Sequence, residues 1–138
     1  MGGLWTEPTA RTSGISAQSV AAGANYLGSE IDNETNLDQF AAIELTMTPG
    51  VAPTAGKVVE LYILYAIDGT NYEQGGTSDD PARGPDAVFP AEASTSAQAT
   101  TKHVRLRPFK FKLLVKSELD QEATITVKLE TFNPDFAS

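Results

Sequence analysis

The residues that could carry chemistry are few, and they do not form a recognisable catalytic set. The chain has no cysteine and a single histidine, His103, so thiolate catalysis and zinc–thiolate sites are excluded. A nucleophilic serine needs a neighbouring histidine and a carboxylate, but His103 stands among basic and apolar residues. No serine or aspartate spacing suggests a triad. We therefore interpret His103 as a structural residue of a strand and expect no enzymatic activity.

Cation and phosphate binding are the other chemistries to consider. Residues 32–38 read Asp-Asn-Glu-Thr-Asn-Leu-Asp and superficially resemble a calcium loop. They lack the glycine and the closing glutamate of an EF-hand, so we interpret them as a solvated turn. No glycine-rich phosphate loop occurs, and nothing singles out a carboxylate pair for glycoside hydrolysis. We expect neither a metal nor a cofactor.

The charge of the chain argues against two classes of partner. With 18 acidic and 10 basic residues the net charge is −8, which disfavours nucleic acid and anionic membranes. No apolar run approaches the ~20 residues of a membrane span, and no signal peptide is expected. Six basic residues nevertheless lie within residues 102–116, which contain no acid. They form either a basic stripe for an acidic partner surface or the solvent-facing side of strands.

The strongest structural signal lies in residues 58–67. Eight of these ten residues are β-branched, aromatic or leucine, and Val59, Leu61 and Ile63 share one face at period two. The opposite face is only partly polar, which predicts a central strand covered on both sides, as in a two-layer sandwich. The dipeptide Asp68-Gly69 that follows favours a two-residue type I′ hairpin turn.

Further segments indicate strands on either side of this one. Residues 13–31 fit two short edge strands or a loop, and residues 40–48, 104–115 and 123–130 alternate apolar with polar residues. The connection over residues 49–56 makes its two strands antiparallel neighbours or carries the chain to a facing sheet. A change of apolar parity predicts a bulge or kink at Arg107-Pro108. The last strand is expected to form a hairpin with the strand before it.

These elements predict an all-β fold, an antiparallel β-sandwich of jelly-roll type. We divide the 138 residues into an extended N-terminal arm (1–12), a sandwich domain (13–133) and a C-terminal tail (134–138). Residues 74–101 form a long loop rich in proline, glycine, alanine and serine. Long loops without secondary structure are usually functional or disordered. This one is either a subunit contact or a surface excursion.

Large apolar residues outside the strand pattern are the candidate contacts to other proteins, since soluble monomers rarely expose large apolar patches. They are Leu4, Trp5, Val88, Phe89, Phe132 and Phe136. The arm that carries the first two lies on a neighbouring subunit, tucks under its own sandwich or is disordered. Together these residues favour an oligomer.

The order of features from about Ser13 to Asn133 resembles small head proteins of tailed bacteriophages. The resemblance includes Pro53-Thr-Ala-Gly56, Leu106-Arg-Pro-Phe109 and, most specifically, Asp68-Gly-Thr-Asn-Tyr72. It implies a capsid decoration (cement) protein, a β-sandwich that binds the outer surface of the shell and braces neighbouring capsomers. The implied partners are the major capsid protein and further copies of the chain in a homotrimer. The implied location is the capsid surface of the virion, after assembly in the host cytoplasm.

Two alternatives remain open. The Asp68-Gly-Thr-Asn-Tyr72 turn is also similar to discoidin-like and carbohydrate-binding sandwich modules, in which Ser-x-Asp-Gly-x-x-Trp recurs. Here Ala66 and Tyr72 replace the serine and the tryptophan, and in those modules the turn is largely structural. Tyr62 and Tyr65 are expected on opposite faces of a strand, so they cannot form one sugar platform. A phage tail or baseplate adaptor would share the fold and differ only in its partner.

Overall fold

The computed structural model of the chain describes residues 4–5 and 9–135. In this part of the chain it contains β-strands and no helix, so no helix there could cross a membrane. The strands are β1 (Leu4–Trp5), β2 (Thr9–Val20), β3 (Asn25–Ile31), β4 (Phe40–Pro49), β5 (Val58–Ala66), β6 (Ala87–Pro90), β7 (Gln98–Arg105), β8 (Lys110–Ser117), β9 (Ala123–Phe132) and β10 (Pro134–Asp135).

Eight of the strands form two four-stranded antiparallel sheets. The first sheet has the order β2-β9-β4-β7 and the second the order β3-β8-β5-β6. Apolar residues of both sheets, such as Ile43 of β4 and Leu61 of β5, belong to a single buried cluster. β1 and β10 pair separately as a two-stranded ribbon. The predicted all-β sandwich is confirmed.

The period of two in the sequence accounts for the inner faces of the strands. In β4 and β9 every second residue is buried, because successive side chains of a strand point to opposite faces. β5 lies inside its sheet between β8 and β6, and residues 61–64 are all buried. Covering on both faces was predicted for this strand. Its outward residues Tyr62 and Leu64 form a second cluster with Leu27 and Leu114.

Residues 67–86, which we call the strap, lie over this second cluster. Gly75 of the strap sits against Leu64 and Leu114. The Asn25 side chain of β3 donates to the Gly76 carbonyl at 3.2 Å, and Lys116 of β8 forms an ion pair with Asp80 at 3.3 Å. The strap therefore folds back on its own second sheet. The long loop predicted over residues 74–101 is not structureless either, since it contains β6 and the start of β7.

The turn after β5 differs from its prediction. The Gly69 N–H donates to the carbonyl three residues earlier at 3.0 Å, so Ile67 and Asp68 are the central residues of the turn. Of these residues only Gly69 has a positive φ, +80°, whereas a type I′ turn needs positive φ at both central residues. The two-residue type I′ hairpin is therefore wrong. The chain still reverses, because the Glu73 N–H donates to the Tyr65 carbonyl at 3.0 Å.

The last third of the chain changes sheet twice. β7 ends at Arg105 in the first sheet and β8 begins at Lys110 in the second, so the parity change at Arg107-Pro108 marks a crossing between sheets rather than a bulge within one strand. The predicted hairpin of the last two strands is also wrong. β8 pairs with β3 and β5, and β9 pairs with β2 and β4. The connection after β4 likewise crosses to the facing sheet, the second of its two predicted alternatives.

The boundary of the N-terminal arm also differs. β2 begins at Thr9, and Thr9, Ala10 and Arg11 pair with residues of β9. These residues were assigned to the arm but belong to the first sheet. In the predicted tail, Pro134 and Asp135 form β10.

Candidate protein-interaction surfaces

Two of the predicted contact residues lie together on β6 but face opposite ways. Phe89 is fully buried in the core beside Val59 of β5, so its side chain contributes to the sandwich rather than to a second molecule. Val88 is 39% exposed. Because successive strand residues alternate in direction, only Val88 of this pair remains on the surface.

Phe132 lies on the outer face of the first sheet. Its half-buried ring stacks on Phe40 of β4 with the centroids 6.0 Å apart, and the Arg105 guanidinium lies 5.8 Å from the Phe40 centroid. The strand register brings these residues together, since Phe40 pairs with both Phe132 and Arg105. We call this trio the aromatic corner. Aromatic and arginine side chains are enriched at protein interfaces.

Strand pairing brings two of the other predicted contacts, Leu4 and Trp5, to the segment that follows the aromatic corner. Leu4 and Trp5 form β1, whose backbone pairs with Asp135 and Pro134 of β10. β10 follows Phe132 after a single residue. Phe136 lies outside the described residues. The ribbon and the aromatic corner thus occupy the same end of the sandwich.

A buried polar network fixes this end. The Asn33 side chain donates to the carbonyls of Asp38 and Arg107, both at 2.9 Å, and accepts the Asp38 N–H at 3.0 Å. Asp38 in turn accepts the Thr131 hydroxyl at 2.5 Å and the Asn133 side-chain amide at 3.0 Å. The acceptor-rich segment over residues 32–38 therefore uses its polar groups internally. Among the described residues no cluster of histidine, cysteine, aspartate and glutamate could hold a metal ion.

The Asp68-Gly-Thr-Asn-Tyr72 turn is also held by its own side chains. Asp68 accepts the backbone N–H groups of Thr70 and Asn71 at 2.8 and 2.7 Å, and the Asn71 side chain at 2.8 Å. These bonds, that of the Asn71 N–H foremost, lower the pKa of Asp68 to about 2. Tyr72 donates its hydroxyl to Glu30, and the Lys112 ammonium lies 4.5 Å from its ring centroid. Burial of the Tyr72 side chain, and then its hydrogen bond to Glu30, raise the pKa of the Tyr72 hydroxyl. The polar groups of this segment therefore hold the turn together.

A shallow groove of about 520 Å³ runs across the outer face of the first sheet. It forms beside β2, whose register with β9 shifts on either side of Ile15. Its wall includes Glu44, Thr126 and Lys128 and contains no aromatic residue. A sugar platform needs an exposed aromatic ring, and Tyr62 and Tyr65 pack on opposite faces of β5 as predicted.

The chain matches no protein-family model, and no curated protein is significantly similar to it. The resemblance to decoration proteins therefore depends on the sequence pattern alone.

Phe40 and Arg105 are surface residues that sequence reasoning assigned only to strands. Phe40 was one of the alternating residues of its strand, and Arg105 one of six basic residues. Their meeting with Phe132 depends on the pairing of β4 with β7 and β9. Apolar alternation identifies the faces of a strand but not its neighbours, so no signal in the sequence could have found this corner.

Proposed function

We propose that this chain is a non-enzymatic bacteriophage capsid decoration protein that binds the outer surface of the shell. The observation that carries the proposal is the strand order, β2-β9-β4-β7 facing β3-β8-β5-β6. This order supports an eight-stranded jelly roll, an architecture that recurs in viral capsid and lectin domains. The sequence resemblance adds the capsid surface as the place of action and the major capsid protein as the partner.

The end that carries the aromatic corner and the ribbon is the proposed contact. Burying a large aromatic side chain contributes roughly 1.5–3 kcal/mol, whereas an exposed ion pair contributes about 0–1 kcal/mol. Apolar contacts at this end therefore supply more binding energy than surface charge. Assembly as a homotrimer would multiply weak contacts into durable attachment.

The test is co-sedimentation with empty phage capsids. A chain that starts at Thr9 lacks β1 but retains every residue pair of the two sheets, so it should fold and bind more weakly. Phe132→Ala should weaken binding by more than about tenfold. Val51→Ala is the matched control, because Val51 is 59% exposed and follows the opposite end of β4. Full retention of the truncated chain on capsids would contradict the proposal. Co-sedimentation with tails but not with heads would indicate a tail or baseplate adaptor.

A carbohydrate-binding module is the second candidate, since jelly rolls also serve as lectins and polar side chains of the groove, such as Glu44 and Lys128, offer hydrogen bonds to a sugar without an aromatic platform. A glycan array separates the two functions. Glycan binding that persists in the truncated chain, without capsid binding, would favour the second candidate.

A further inference from the structure

Each sheet of the sandwich has two edge strands, β2 and β7 in the first and β3 and β6 in the second. All of them except β7 are protected against pairing with a strand of another chain. β2 and β3, which contact each other along one side of the sandwich, both contain register shifts. β6 has only four residues and ends in Pro90. Irregular, short and proline-containing edges are the devices by which proteins prevent further strand addition.

The edge of β5 beyond β6 is protected by side chains of the strap. Asp86 accepts the Ile63 N–H at 2.6 Å, and the Arg83 guanidinium donates to the Ile63 carbonyl. Arg83 also contacts Glu73 and Asp86, each at 3.0 Å. Two residues further along β5, the Glu73 N–H donates to the Tyr65 carbonyl, and the Glu73 carboxylate accepts the Tyr65 N–H. The strap thus occupies the positions that an added strand would take.

β7 has none of these protections. Its eight residues pair with β4 in unbroken register from Gln98 to Arg105, and five of them are exposed. Among the described residues no loop or side chain bonds to its outward backbone groups. Alternate residues of such an edge direct an N–H and a carbonyl away from the sheet.

The charge of β7 indicates what would pair there. Lys102, His103 and Arg105 lie on this strand, which contains no acid, although the chain as a whole carries −8. Antiparallel pairing of β7 with β7 of a second copy would gather the basic residues of both strands in one ribbon that contains no acid to neutralise them, and this disfavours the pairing. We propose that β7 is a strand-addition site for an extended, acidic segment of a different protein. The site stands independently of the capsid assignment.

The test uses a fluorescent peptide as long as β7 in which glutamate alternates with valine, and a control peptide with lysine in place of each glutamate. Fluorescence anisotropy should show binding of the acidic peptide at least about tenfold tighter than of the control. Amide hydrogen exchange should slow in β7 on binding. Lys102→Glu combined with Arg105→Glu should abolish the preference. Lys57→Glu, a single charge reversal at an exposed loop position, should leave it unchanged.

Two separate proline substitutions test how much the backbone hydrogen bonds of β7 contribute to peptide binding. Because N–H groups alternate in direction, one of Thr100→Pro and Thr101→Pro removes an outward N–H and leaves pairing with β4 intact. That variant should keep the wild-type melting temperature and lose the peptide. Absence of peptide binding, equal binding of both peptides, or undiminished binding by the tolerated proline variant would overturn the proposal. So would a wild-type dimer that the same variant dissociates, since a second copy would then occupy the edge.

Discussion

Gly75 brings the backbone of the strap against the outer face of the second sheet, and Gly75→Ala measures how strongly that contact stabilises the fold. A methyl group added there would lie 2.8 Å from Leu64 Cδ1 and 3.4 Å from both Leu114 Cδ1 and Pro81 Cγ. Both leucines are essentially buried, at 1% and 0% exposure, so neither can move away freely in a close-packed interior. The φ of Gly75, +150°, is also unfavourable for a residue with a side chain.

The two effects add to a measurable cost. Overpacking costs about 1–3 kcal/mol, and an unfavourable φ adds about 1 kcal/mol. We therefore expect Gly75→Ala to lower the free energy of unfolding by about 2–4 kcal/mol. At this chain length each kcal/mol corresponds to roughly 4 °C in melting temperature, so the expected decrease is roughly 8–16 °C.

Gly76→Ala is the matched control. Its added methyl group would have no heavy atom within 4 Å, and its φ lies outside the positive range. Thermal unfolding followed by circular dichroism should give a melting temperature for this variant close to that of the wild type. Equal melting temperatures for the two variants would refute the conclusion that the strap is packed against Leu64 and Leu114.

Further expectations concern the turn, the protected edge, the buried network and pH. Gly69→Val should cost about 1 kcal/mol or more in urea unfolding, because Gly69 has φ +80°; an unchanged midpoint would contradict this. Arg83→Leu removes the donor to the Ile63 carbonyl and should increase light scattering on heating, since an edge becomes open. Asn33→Ala should cost about 1–3 kcal/mol by leaving buried partners unpaired; a loss within error would argue against the network. The lowered pKa of Asp68, about 2, stabilises the fold above about pH 4, and this contribution is lost as the pH falls to about 2. Asp68→Asn should therefore flatten the acid limb of melting temperature against pH, and an unchanged limb would argue against it.

Strand positions could be predicted because burial imposes a period of two on the sequence. Residues 40–48 and 123–130 alternate so regularly that β4 and β9 begin and end within about two residues of the prediction. Pairing could not be predicted in the same way. β8 and β9 are consecutive in the chain, yet they lie in opposite sheets. A hairpin within one sheet would give the same alternation of apolar and polar residues, so the alternation does not distinguish the two arrangements.

Phe89 and the strap show a second limit of sequence reasoning. Phe89 stands in a polar region of the sequence, but its pairing with Val59 turns it into the core. The strap contains small and charged residues typical of a solvated loop. Its packing depends on Gly75 and on long-range partners such as Lys116. Neither the close approach of Gly75 nor the ion pair of Lys116 is visible in the neighbouring residues of the sequence.

The basic segment over residues 102–116 spans two strands, β7 and β8, whose basic residues have different surroundings. In β8, Lys110 lies 3.9 Å from Glu34, Lys112 lies over the Tyr72 ring, and Lys116 contacts Asp80 and Glu118. This half is compensated within the chain.

The β7 half has a different environment. Lys102 and Arg105 form no ion pair with any described acid, and the Arg105 guanidinium lies over Phe40 at the aromatic corner. Because the chain carries −8 overall, an acidic segment that approaches it is repelled over most of the surface and attracted at this edge. Complementary charge chiefly sets the encounter rate and the register of binding, whereas buried apolar groups set the affinity. An acidic partner that runs along β7 to the aromatic corner would gain complementary charge on β7 and apolar contacts at the corner.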